Sequence, residues 1–93
     1  MAHEINHETE QSRFTTSADG HLCVLDYDLS GAVMTITHTG VPPEVGGQGI
    51  AGALTRVALD TARHNKWRVI PQCSYAATYI KRHPEYNDLI AST

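Results

Sequence analysis

A glycine-rich stretch in the middle of the chain, Gly46-Gly47-Gln48-Gly49, has the composition of a phosphate-binding loop. It follows a predicted strand and runs directly into the apolar residues of a predicted helix. The unpaired N–H groups of a helix's first turn converge where the helix dipole is positive, so a loop of this kind attracts anions. The pattern predicts a ligand that carries phosphate. A glycine-rich turn without a ligand is the alternative.

Two well-known nucleotide sites share part of this pattern. Gly47, Gly49 and Gly52 satisfy the G-x-G-x-x-G spacing of dinucleotide-binding folds. In those folds the turn follows the strand directly, and an acidic residue stands about 20 positions later. Here residues 41–45 intervene, and Gln72 stands near the expected acidic position. A P-loop also requires Lys followed by Ser or Thr after the last glycine, and this sequence has neither there.

Three antiparallel strands are predicted ahead of the loop, because apolar and polar residues alternate over residues 13–38. The dipeptides Asp19-Gly20 and Ser30-Gly31 separate these strands, and both favour tight hairpin turns. Residues 41–44, Val-Pro-Pro-Glu, end the sheet because two prolines remove backbone donors and fix φ.

The elements after the loop have a different periodicity. An apolar stripe from Ile50 onward predicts a long helix that ends near Asn65. Residues 67–71 predict a short buried strand, parallel to the third strand of the meander. Residues 75–82 predict a second helix, which Pro84 stops.

Taken in order, three strands, the loop, a long helix, a short strand and a second helix resemble the GNAT acetyltransferase superfamily. Thr37-His38-Thr39, Val-Pro-Pro-Glu at 41–44, Gly-Gln-Gly-Ile-Ala at 47–51 and Arg-His-Pro-Glu-Tyr at 82–86 are similar to its small, single-domain YjdJ-type branch. The resemblance covers about residues 13–89. It implies an α+β fold, a minimal GNAT domain over residues 13–90 preceded by a flexible tail over residues 1–12.

The superfamily's pyrophosphate loop runs Arg/Gln-x-x-Gly-x-Gly/Ala, which falls here on residues 46–51. Its fourth and sixth positions match, whereas Gly46 stands where arginine or glutamine is usual. The departure removes one side-chain contact to the ligand. The resemblance implies that five residues bind acetyl-CoA near its pyrophosphate: Gln48, Gly49, Ile50, Ala51 and Gly52.

The same resemblance implies the position of the pantetheine arm. The backbone of Ile36 and Thr37, at the edge of the third strand, would pair with the pantetheine amides. The strands before and after the loop would splay to admit the arm. The expected activity is N-acetyl transfer from acetyl-CoA to an amine, which the sequence leaves open as a small molecule, a protein lysine or a protein N-terminus.

Acetyl transfer to an amine needs a base for the amine and an acid for the departing thiolate. Tyr79 is the candidate acid, because the superfamily commonly keeps a tyrosine in this helix; a packing role is the alternative. His38 and Glu44 are the candidate bases. Histidine is preferred because its ordinary pKa of about 6.5 lies near working pH. Glu44 could instead cap the N–H groups of the following loop.

Cys73 follows the short strand and precedes the tyrosine helix, so its sulfur is expected near the thioester of the cofactor. A thiolate there could carry the acetyl group covalently, and a helix N-terminus lowers the pKa of a thiol. Inert packing remains the alternative, since GNAT domains usually transfer acetyl directly. Cys23, flanked by Leu22 and Val24, is predicted to lie in the core.

The composition limits the partners. The 93 residues carry a formal charge of −3, so no nucleic-acid partner is expected. Without a long apolar run or a secretory leader, the expectation is a cytoplasmic chain with no membrane partner. His3 and His7 have helical spacing but no third ligand nearby, so no metal site is expected. Gly46 and the short chain favour one alternative activity, an acetyl-CoA-binding module with little catalysis. A purely structural interaction domain would leave the loop unexplained.

Overall fold

One mixed sheet carries the fold in the computed structural model, which describes residues 4–90. Its five strands lie side by side in chain order, the first four antiparallel and the fifth parallel to the fourth. The strands are β1 Asn6–Glu8, β2 Arg13–Ala18, β3 His21–Ser30, β4 Val33–Gly40 and β5 Arg68–Pro71. The helices are α1 Ile50–His64 and α2 Ser74–Arg82, with 3-10 turns at Thr9–Gln11, Pro43–Val45 and Pro84–Leu89.

The core lies between one face of the sheet and the two helices. We call this the inner face, and it is defined by buried strand residues such as Leu25, Met34 and Ile36, all fully buried. Leu54 of α1 and Ile80 of α2 belong to the same apolar cluster. Both helices therefore cover the inner face, and no helix formed by residues 4–90 covers the opposite, outer face of the sheet. Neither helix in residues 4–90 has the length and hydropathy needed to span a bilayer.

The predicted meander is confirmed, and its turns follow the expected chemistry. Asp19 and Gly20 both have positive φ, 51° and 79°, as the tight β2–β3 turn requires. Gly31 has φ 59° in the β3–β4 turn. The predicted long helix, short parallel strand and second helix are also present, and Cys23 is fully buried as predicted.

A short strand lies within residues 1–12, the segment that the sequence predicts to be a flexible tail. Asn6–Glu8 forms β1, which pairs antiparallel with β2 and makes the meander four-stranded. The imidazole of His7 stacks on the ring of Phe14 with 4.1 Å between centroids, and its Nε2 atom lies 2.6 Å from the Tyr27 hydroxyl. These contacts come from β2 and β3, so the local sequence does not display them. His3 lies outside the described residues.

The His7 contacts predict a pH-dependent stability. Partial burial lowers the pKa of His7 below its ordinary value. The unfolded chain therefore binds a proton at this residue more readily than the folded chain, and the free energy of unfolding falls as pH drops below about 6.5. Urea unfolding at about pH 7.5 and about pH 5.5 should show the wild type less stable at the lower pH.

His7→Gln is the matched variant, because glutamine can still bond the Tyr27 hydroxyl but does not titrate. Its stability should change less than that of the wild type between the two pH values. Glu8 and Asp88 do not confuse the comparison. The ordinary pKa values of both carboxyl groups already lie below about pH 5.5. A hydrogen bond from Arg13 lowers the pKa of Glu8 further, and one from Arg63 lowers that of Asp88. An equal loss of stability in both proteins would contradict the assignment to His7.

Candidate functional site

A cleft of about 320 Å³ opens at the N-terminal end of α1. It is formed almost entirely by the predicted glycine loop and the first turn of the helix. The residues that line it are Val41, Gly46, Gly47, Gly49, Ile50, Ala51, Gly52 and Tyr75.

The backbone of the loop explains its glycines. Gly47 and Gly49 have φ of 85° and 76°, a left-handed conformation that residues with a Cβ rarely adopt. Gly49 is the N-cap of α1, and its carbonyl accepts the helix's first bond, from the Ala53 N–H at 3.0 Å. Within residues 4–90, the N–H groups of Gly47, Gln48 and Gly49 have no hydrogen-bond partner. Together with the unpaired first turn of α1, they form a set of donors at the positive end of the helix.

The walls of the cleft are open where a bulky anion would need room. A Cβ built on Gly47 or Gly49 would meet no atom within 4 Å. At Gly52 the same Cβ would lie 3.4 Å from the Tyr75 hydroxyl and 3.7 Å from Cε2 of Tyr79, so the two tyrosines border the first turn of α1. The donors, the space and the absence of acidic lining residues fit a pyrophosphate.

The Gln48 side chain is directed away from this set of donors. Its Nε2 donates to Oδ2 of Asp19 at 3.2 Å, which ties the loop to the β2–β3 turn. Both groups are exposed. The bond leaves only the backbone of Gln48 for the ligand role that the sequence predicts for this residue.

Strands β4 and β5 separate next to the loop. Ile36 and Pro71 are the last residues to pair, and the Cys73 N–H then donates to the Ile36 carbonyl at 2.8 Å. The Ile36 side chain is fully buried. Residues 37–40 of β4 continue without a partner on β5. The free edge expected at Ile36 and Thr37 therefore begins at Thr37.

Thr37 also interrupts the pairing of β4 with β3. Tyr27 pairs with Ile36 and Asp26 pairs with His38, so Thr37 is the extra residue of a β-bulge. Its hydroxyl donates to the Asp26 carbonyl at 3.3 Å. The bulge changes which side chains face inward along the rest of β4.

Beyond the bulge, Thr39 and His38 lie on opposite faces of the sheet. Thr39 pairs with the buried Leu25 and so faces inward, whereas His38 pairs with Asp26 on the outer face. The two predicted groups His38 and Cys73 are thus on opposite sides of β4, because Cys73 contacts Thr39. His38 is exposed on that outer face.

Cys73 is the N-cap of α2, and its Sγ lies 3.7 Å from Oγ1 of Thr39. Partial burial raises the pKa of its thiol, but the backbone of Ala76, the Thr39 hydroxyl and the backbone of Tyr75 lower it by more. The net pKa is below the ordinary value of a cysteine, since N–H groups at a helix N-terminus favour the thiolate. Burial raises the pKa of the Cys23 thiol, so the pKa values of the two thiols shift in opposite directions.

Tyr79 is half-buried in α2. Its ring stacks on that of His83 with 4.1 Å between centroids, and also borders Tyr75 and Tyr86. Burial raises the pKa of its hydroxyl, and the nearby Arg56 opposes part of this effect. The hydroxyl has no hydrogen-bond partner within the described part of the chain.

Glu44 and Tyr75 differ from what the sequence suggests. Glu44 is exposed in the turn Pro43–Val45, and within residues 4–90 its carboxylate caps no N–H group of the loop. Tyr75, which the sequence analysis does not single out, lines the cleft and is 41% exposed. Its spacing of four residues from Tyr79 on one helix is the only signal that the sequence carries for it.

Comparisons with known proteins agree with this geometry. The profile of the GCN5-related N-acetyl-transferase family matches residues 13–89. Protein NATD1 of Gallus gallus is 30% identical over 84 residues, which span 87% of this chain and 76% of that protein. Protein NATD1 of Homo sapiens is 30% identical over 83 residues, 86% of this chain and 74% of that protein.

Solved structures include one similar over nearly the whole chain. The solution NMR structure of a GCN5-like protein from Staphylococcus aureus has a TM-score of 0.76 and 28% sequence identity. The alignment covers 97% of this chain and 89% of that one. The α+β architecture, the loop at the start of α1 and the family profile lead to one conclusion. The chain belongs to the GCN5-related N-acetyl-transferase, or GNAT, family.

Proposed function

We propose that this protein, through one domain over residues 13–90, is an N-acetyltransferase that moves the acetyl group of acetyl-CoA to an amine. The observation that carries the proposal is the set of unpaired N–H groups at the start of α1, beside a strand edge that β5 leaves free. We also propose a cytoplasmic location, where the thiols of Cys23 and Cys73 would stay reduced.

In this proposal the pyrophosphate of acetyl-CoA binds the loop and the first turn of α1. The residues that would contact it, through the backbone or by leaving room for it, are Gln48, Gly49, Ile50, Ala51 and Gly52. The pantetheine arm follows β4 from Thr37 onward, where Ile36 ends the pairing with β5. This path leads from the loop toward the sulfur of Cys73, and Tyr75 borders its entrance.

The proposed chemistry uses three side chains. The Cys73 thiolate attacks the thioester carbonyl carbon, the bond to the CoA sulfur breaks, and the departing thiolate takes the proton of the Tyr79 hydroxyl. An amine on the outer face then reaches acetyl-Cys73 through the gap that β5 leaves beside residues 37–40 of β4, and attacks its carbonyl carbon. The bond to the Cys73 sulfur breaks and restores the thiolate, the amine loses a proton to His38, and that proton returns through solvent to the Tyr79 phenolate. The products are the acetylated amine and CoA. Glu44, exposed in the turn Pro43–Val45, is the alternative base.

The direct test is release of CoA thiol in the presence of a panel of small amines and lysine-containing peptides. We expect release that depends on both acetyl-CoA and an acceptor, and acetylation of that acceptor by mass spectrometry. Tight binding of acetyl-CoA without acetylation of any acceptor would support the second candidate, an acetyl-CoA-binding protein with little catalysis.

Gly46 favours that second candidate, because it lacks the side chain that the family usually places there. Its backbone nevertheless has φ −65° and ψ 153°, and an added Cβ would make an ordinary 3.4 Å contact with the Pro43 carbonyl. Gly46→Arg should therefore fold normally and bind acetyl-CoA about fivefold more tightly, the effect of ~1 kcal/mol from one exposed charge-assisted contact.

Calorimetry with acetyl-CoA measures this change, and Gly46→Ala is the control because it adds the Cβ without the charge. Only the arginine variant should bind more tightly, and the gain should shrink as salt is raised. Equal affinities for all three proteins would mean that position 46 does not face the phosphates.

A further inference from the structure

The imidazole of His38 lies within tight contact distance of the place that a Cβ at position 40 would take. A Cβ built on Gly40 would lie 3.0 Å from Nε2 and 3.7 Å from Cδ2 of His38. The third close atom is Cγ2 of Val24, at 3.4 Å. His38 thus lies along the end of β4, over the bare backbone of Gly40 and beside Val24 on the outer face.

The backbone of Gly40 does not itself require glycine. The glycines with positive φ are Gly20, Gly31, Gly47 and Gly49, and Gly40 is not one of them. It is the last residue of β4 and pairs with Val24. An alanine could therefore adopt the same conformation without strain. Within residues 4–90, the three atoms nearest to a Cβ at this position belong to His38 and, less closely, to Val24.

We propose that Gly40 is a positioning residue, which by lacking a Cβ lets the His38 imidazole lie along the outer face of β4 where an amine would arrive. This inference rests on the proposed function, in which His38 takes the proton of the amine. The bulge at Thr37 places His38 on the outer face, and Gly40 then sets the direction of its ring.

The contact predicts what Gly40→Ala does. Nε2 is the far end of a flexible side chain, so the ring moves and the backbone stays. Stability should match the wild type, and the Kd for acetyl-CoA should change little, because the pantetheine arm is proposed to pair with the backbone of β4, which an alanine leaves in place. The contact moves the ring by only a part of the ~1 Å displacement that can cost 10²-fold, so the turnover number kcat should fall by about threefold to tenfold.

The experiment combines kinetics with NMR of the His38 ring. Gly40→Ala is made in the wild type and in His38→Ala, and it should lower kcat only where the imidazole is present. The Cε1–H and Cδ2–H resonances of the His38 imidazole should shift in Gly40→Ala. Gly40→Ala combined with Val24→Ala relieves the contact with Val24 but not that with His38, so its kcat should stay low.

The outcomes separate this proposal from the function it rests on. If His38→Ala leaves kcat unchanged, the assigned base is wrong and the role of Gly40 falls with it. If His38→Ala lowers kcat while Gly40→Ala changes neither kcat nor the ring resonances, the Gly40 proposal alone is overturned. An equal loss of kcat from Gly40→Ala with and without His38 would also overturn it, because the effect would not pass through the imidazole.

Discussion

Replacing Gly49 by valine is expected to abolish detectable binding of acetyl-CoA. Gly49 has φ 76° at the N-cap of α1, and a β-branched residue in this conformation costs about 1–3 kcal/mol. The loop can relieve that strain only by turning its N–H groups to a new orientation. The valine side chain would also enter the open space beside the donors, where the pyrophosphate is proposed to lie. Calorimetry should show an affinity at least about a hundredfold weaker, ~2.7 kcal/mol or more.

Gly31→Val is the matched control. Gly31 also has positive φ, 59°, and a Cβ there would likewise meet nothing within 4 Å. It lies in the β3–β4 turn and does not line the cleft. The two variants should lose similar amounts of stability, but only Gly49→Val should lose the ligand. Retained micromolar binding in Gly49→Val would show that the loop does not hold the pyrophosphate.

The parts of the fold that sequence alone predicts are those with local causes. Asp19-Gly20 tolerates the positive φ of a tight turn, and the turn is found there. The apolar stripe from Ile50 identifies α1 to within a residue of its end, because the stripe must face one core. The glycine loop is predicted for the same kind of reason. Its φ values and its place before a helix are both properties of neighbouring residues.

The features that sequence analysis misses arise from contacts between distant segments. Strand β1 has only three residues, and what fixes it is the stacking of His7 on Phe14 and the contact with Tyr27. The bulge at Thr37 has no signature in the strand's alternation. Without the bulge, simple alternation would put Ile36 and His38 on the same face. The bulge therefore places His38 and Cys73 on opposite sides of β4. The order of residues in the sequence does not reveal this separation.

Replacing Cys73 by serine is expected to lower kcat by on the order of 10²-fold, the scale of losing one positioned catalytic group. Serine has nearly the same size and is a favoured N-cap, so α2 should be at least as stable. What the variant loses is the thiolate, whose pKa is lowered by the start of α2 and by Thr39 against the effect of burial. The Kd for acetyl-CoA should change little, because Cys73 does not line the cleft at the loop.

The proposed acetyl-Cys73 can be observed without an acceptor. The wild type incubated with acetyl-CoA should gain one acetyl group on Cys73 by intact mass and peptide mapping, and release one equivalent of CoA. Cys23→Ala should behave like the wild type, because Cys23 is buried and its pKa is raised. Acetylation should slow as pH falls through the lowered pKa of Cys73, since the thiolate is the nucleophile. Wild-type kcat in Cys73→Ser without any acetylated thiol would mean that the amine attacks the thioester directly, with Cys73 only capping α2.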